Sequence, residues 1–212
     1  MELDAADDID LNNGDPRGLF AGYLDAVGQR REQPFTAFRA GEVVLPDGVL
    51  LPADPALPVS PEFPASGLPT GRHPVWIRVE PDAQGDPVVV LAVVPFGEQP
   101  ALRWVADRGL DCPIRSDLLC LGPAAADPRA RQHLLALARP EIARRGRRRP
   151  EAAGLPAVTP LPGAFRKGWQ VLADPVTGAD LVGLLTAARH GVQAIGRAAD
   201  GTVAAYVLDL TG

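Results

Sequence analysis

Proline and glycine punctuate this chain densely: 23 Pro and 22 Gly fall within 212 residues, about a fifth of the sequence against a usual share of roughly 12%. Proline removes a backbone donor and ends helices, and glycine supplies the turn conformations that other residues avoid. The elements between them must therefore be short. The rest of the composition, 46% hydrophobic and 22% charged, still supports a buried core and excludes wholesale disorder or a collagen-like repeat. One domain over 1–212 is the expectation at this length.

Local patterns give the elements. Asp15 before Pro16 is a helix start, and Leu19, Phe20, Tyr23, Leu24 and Val27 then recur at helical spacing up to Gly28. Two apolar runs over 41–51 flank Pro46-Asp47-Gly48, the punctuation of a hairpin. A second hairpin is predicted from 73–80, the turn at 82–87 and the nearly continuous apolar run 88–94, whose length without polar residues implies burial on both faces. A strand follows at 102–105 around Trp104. Asp127-Pro128 starts a helix carrying Leu134, Leu135, Leu137 and Ala138, which Pro140 should kink or end. Asp200-Gly201 joins the last hairpin, 192–197 and 203–208. Two or three helices and seven or more strands, with no strand-helix-strand rhythm, predict an α+β fold of predominantly antiparallel β-sheet built from hairpins.

Charge is unevenly spread. The formal net charge is −5, yet residues 1–66 carry −8 and residues 128–167 carry +8, a separation that can be neutralised within the chain or by a partner. The acidic N-terminal segment, residues 1–14, is expected to be mobile. Arg144, Arg145, Arg147, Arg148 and Arg149 open a Pro-rich stretch to 163 that reads as an exposed loop, because like charges at this density repel and proline blocks a continuing helix. These five arginines are a candidate binding surface. They lack interleaved aromatics and sit in an acidic chain, which argues against nucleic acid as the partner.

Other chemistry is sparse. His73, His133 and His190 are not spaced as metal ligands with each other or with Cys112 and Cys120, so neither a metal nor another cofactor is expected. The two cysteines read as buried, reduced thiols. No Gly-x-Ser-x-Gly elbow and no phosphate-binding glycine loop occurs in the sequence. Asp107, Asp111 and Asp117 are close enough in sequence to share a cleft, with Arg115 and His190 as further members. Trp76, Trp104, Trp169 and Phe96 could line a groove, but with aromatics at 5% the core needs most of them. The longest apolar stretch, near 88–96, is well short of the roughly 20 residues of a membrane helix, and the acidic start has no leader-like pattern; a cytoplasmic protein is expected.

The order of several pieces carries a resemblance. The run 41–48, then Ala53-Asp54-Pro55, Gly71-Arg72-His73-Pro74-Val75, Val94-Pro95-Phe96 ahead of Trp104, Cys112-Pro113-Ile114, and Gly196 through Asp200-Gly201 to Asp209-Leu210 together resemble an uncharacterised bacterial family, domain-of-unknown-function family 4241, over about 41–210. This chain is a divergent member by that comparison. Where the family shows Tyr-Pro-Val-Asp-Ala-Gly-Thr, this chain has Cys112-Pro113-Ile114-Arg115-Ser116-Asp117-Leu118, and a family Gly-Asp-Gly stands here as Arg189-His190-Gly191. The resemblance implies a link to bacterial toxin and immunity loci. The expectation is therefore a non-catalytic module that binds a protein partner, with an immunity-like, toxin-neutralising role; the alternative is a small-ligand binder or enzyme using the region from Asp107 to Asp117.

Overall fold

A computed structural model describes residues 16–28, 37–57, 64–106, 112–145, 165–174 and 180–211. In chain order these form α1 (Pro16–Ala26), β1 (Ala37–Leu45), β2 (Leu50–Ala53), β3 (Gly71–Pro81), β4 (Pro87–Pro95), β5 (Arg103–Ala106), β6 (Cys112–Pro113), β7 (Leu118–Pro123), α2 (Pro128–Arg144), β8 (Trp169–Ala173), β9 (Asp180–Leu185), β10 (His190–Arg197) and β11 (Val203–Asp209). The strands make two antiparallel sheets. The larger runs β1-β3-β4-β11-β10-β5, with β6 also paired to β10, and the smaller runs β2-β7-β9-β8. The α+β, mainly antiparallel class read from the sequence is the class of the fold.

Two hairpins form as their turns dictate. Asp82 caps the β3–β4 turn, its Oδ1 accepting the N–H groups of Gln84 at 2.9 Å and Asp86 at 3.0 Å. At the β10–β11 turn Asp200 accepts both the Thr202 N–H and hydroxyl, while Gly201 takes a φ of 85°, which only glycine adopts cheaply. The expected 41–51 hairpin does not form. Its first run, β1, pairs with β3, and its second, β2, pairs with β7 in the other sheet. Pro46-Asp47-Gly48 is thus a corner between sheets, fixed by the Leu68 N–H donating to the Gly48 carbonyl at 3.0 Å. Turn residues reverse the chain locally; they do not choose which strand the next run pairs with.

The layers follow from which faces are apolar. Alternation along β3 sends Val75 and Ile77 to the cluster between the sheets, with Val43, Leu121, Val182 and Tyr206, and Trp76 to the opposite face. There α1 packs Phe20, Tyr23 and Leu24 onto Trp76, Leu91, Val93, Ala205 and Val207. β4 is buried on both sides for this reason: α1 covers one face and the smaller sheet the other. The outer face of the smaller sheet is covered by α2 through Leu134, Leu135, Leu137 and Ala138. Burying each such side chain is worth about 1.5–3 kcal/mol, enough to seat either helix. Asp127 caps α2 by accepting the Arg129 N–H at 2.9 Å, as its position before Pro128 predicts. The helix does not end at Pro140 but runs on to Arg144. Among the described residues no helix is long and apolar enough to cross a membrane.

Candidate functional site

Three of the five residues expected to share a cleft come to one end of the larger sheet. β5 and β6 lie on the same side of β10: Arg103 stands opposite Arg197 and Ala106 opposite Ala194, then Cys112 opposite Gly191 and Pro113 opposite His190. Arg115 and Asp117 follow β6, so the fold brings these two and His190 to one end of β10. Arg115 and His190 are exposed, while Asp117 is buried with a φ of 58°, a left-handed conformation that Asp tolerates better than most residues. Asp107 and Asp111 lie outside the described residues.

The group that organises this end is Asp54, at the exit of β2. Its Oδ1 accepts the Ala56 N–H at 2.8 Å and the Ser116 hydroxyl at 2.6 Å; its Oδ2 accepts the N–H groups of Arg115 at 2.5 Å and Ser116 at 2.8 Å. Four donors fill the acceptor sites of a carboxylate, and Asp54 is 1% exposed. It is a knot tying β2 to the β6–β7 turn, with no lone pair left for a reacting group. The Ser116 hydroxyl is held by the Asp54 carboxylate and the Leu118 carbonyl, and among the described residues no histidine is bonded to it. Beside it the Cys112 thiol donates to the Pro52 carbonyl, and burial, followed by the Asp54 charge, pushes its pKa up to about 12. Burial also raises that of Cys120. Both cysteines are free and buried, as expected; neither is a nucleophile at neutral pH.

The arginine surface is also changed. Arg144 and Arg145 were expected in a loop, but both close α2. Glu141, one turn earlier, accepts from Arg144 Nη2 at 2.8 Å and from Arg145 Nε at 3.0 Å, and Arg144 also reaches Asp86 on the β3–β4 turn at 2.6 Å. Arg145 is buried and donates to the Pro87 carbonyl at 2.9 Å. The repulsion that favoured a loop is cancelled by these two carboxylates, and the pair pins α2 to the larger sheet. Arg147, Arg148 and Arg149 lie outside the described residues.

An edge strand that no sequence motif marks has different properties. β5 is the terminal strand of the larger sheet, and its anchor is Trp104. The indole packs edge-on to Tyr23 of α1, with ring centroids 5.3 Å apart, and crosses Gly196 of β10 so closely that any Cβ there would sit within 2.9 Å of the ring. Tyr23 in turn donates its hydroxyl to Asp209 at 2.9 Å. Around this fixed anchor the neighbours point to solvent: Leu102 is 67% and Val105 42% exposed. Val105 stands opposite Ile195, whose side chain reaches the inter-sheet core, so both lie on the inner face. The smaller sheet packs against β1 and β4, and its β2 reaches β6; among the described residues it does not cover the β5 end of that face. Trp104 was legible as an anchor; that its strand is an edge was not.

No family model, curated protein or solved structure matches the chain.

Proposed function

We propose that this chain is a non-catalytic protein-interaction module whose partner docks on the β5 end of the larger sheet. The observation that carries the reading is the exposure of Leu102 and Val105 around a strand that Trp104 holds rigidly. Isolated exposed side chains are ordinary, but an open sheet edge with apolar residues beside it is a surface that folded proteins usually blunt or cover. A rigid anchor also lowers the ordering cost of binding. The resemblance to domain-of-unknown-function family 4241 adds the immunity-like role, in which the partner is a toxin in the cytoplasm; the two buried, unpaired thiols suit a reducing compartment.

The test compares two baits. Tagged wild-type chain and the double variant Leu102→Asp, Val105→Asp are used to capture proteins from host lysate at low and high salt, and the bound material is identified by mass spectrometry. A stoichiometric protein held at high salt by wild type and lost by the variant supports the reading. A partner held equally by both, or none, contradicts it.

A further inference from the structure

Accepting that reading, we infer that the partner engages β5 by adding an extended, acidic segment as a further strand. Half of the backbone N–H and C=O groups of an edge strand point away from its neighbour, and an incoming strand satisfies them. Charge selects which strand. Arg103 and Arg197 stand directly opposite one another, and like charges in that position are destabilising. Five other described arginines meet a carboxylate: Arg39 and Arg72 meet Glu42, Arg78 meets Glu80, and Arg144 and Arg145 meet Glu141. Among the described residues neither Arg103 nor Arg197 makes an ion pair. Arg197 donates only to the Gly201 carbonyl at 2.8 Å, and the nearby Asp200 turns its Oδ1 to the N–H and hydroxyl of Thr202. Arg103 and Val105 alternate onto the same face, so the incoming segment meets one apolar and one basic position two residues apart. A strand with an acidic and an apolar residue two positions apart, and so on one face, fits both.

Two labelled ten-residue peptides serve as probes, one repeating Val-Thr-Glu-Thr and one repeating Val-Thr-Lys-Thr, so that valine and the charged residue share a face, each followed by fluorescence anisotropy. The glutamate peptide should bind wild type and weaken with added salt. Arg103→Glu should weaken it about tenfold, with Arg103→Gln intermediate. The proposal is overturned if the glutamate peptide fails to bind, if Arg103→Glu leaves its affinity unchanged, or if the lysine peptide binds as well. Sedimentation of the chain alone decides the remaining occupant: a dimer dispersed by Arg103→Glu would show the edge covered by a second copy and would also overturn the proposal. Failure here together with a captured protein lost by Leu102→Asp, Val105→Asp rejects the acidic strand and leaves the module reading standing; an empty capture rejects the module reading itself.

Discussion

Arg103 on β5 stands directly across from Arg197 on β10, and no carboxylate among the described residues relieves the pair. Such a pair is a stability cost that opposite charges would reverse by roughly 0.2–1 kcal/mol. Arg103→Glu should therefore raise thermal stability slightly while weakening the acidic probe. A variant that gains stability and loses binding marks a residue kept for recognition; a parallel fall in both would assign it a structural role.

Asp54 is the reverse case, a polar residue whose role is to hold the fold. Asp54→Ala removes the acceptor of the buried Ser116 N–H and hydroxyl and of the Arg115 N–H. The expected loss is about 3 kcal/mol, or roughly 6–12 °C in Tm for a chain of this length. Asp54→Asn should recover only part of it, because the amide offers one acceptor oxygen where two are used. Thermal melts of both variants followed by circular dichroism make the comparison.

The thiols offer a clean readout of integrity. With Cys112 pushed up to about 12 by burial and Cys120 raised by complete burial, neither should react with iodoacetamide at pH 8 in the native state. Both should react once denaturant unfolds the chain. Rapid native labelling of either, counted by intact mass, would contradict the packing of β6 and β7.

Tyr23 sets an alkaline limit. Burial, then the Asp209 charge and hydrogen bond, raise its pKa above the ordinary 10.0. The folded form thus retains the phenolic proton longer than the unfolded chain does. The stabilisation is complete below pH 10 and is lost as pH climbs through the folded value. Above pH 10 the wild type should lose stability more steeply than Tyr23→Phe, whose melting temperature lacks that ionisation. Equal slopes for the two would remove Tyr23 as the cause.

The parts of this fold that were legible in sequence are those fixed locally. The Asp82 and Asp200-Gly201 turns specify hairpins within a few residues, and Asp127 specifies its helix start in the same way. Partner choice is not local: the 41–51 segment carries a good turn, yet its two runs go to different sheets because each finds a longer-range neighbour. The arginine run failed for a related reason, since Asp86 lies 58 residues from Arg144 and cancels a repulsion the sequence shows undiluted. Asp54 meets Ser116 across 62 residues, and an Asp before a proline gives no sign of that. Of the candidate cleft, Arg115, Asp117 and His190 meet at one end of β10, while the edge depended on strand order, which turn chemistry does not encode.

Amide hydrogen exchange across β5 tests the central claim most directly. In the free chain, the outward-facing amides of β5 should exchange quickly, and adding the Val-Thr-Glu-Thr peptide should protect β5 while leaving β1, at the other end of the sheet, unchanged. Protection at β1 instead, or none at β5 under conditions where the peptide is bound, would contradict strand addition at this edge.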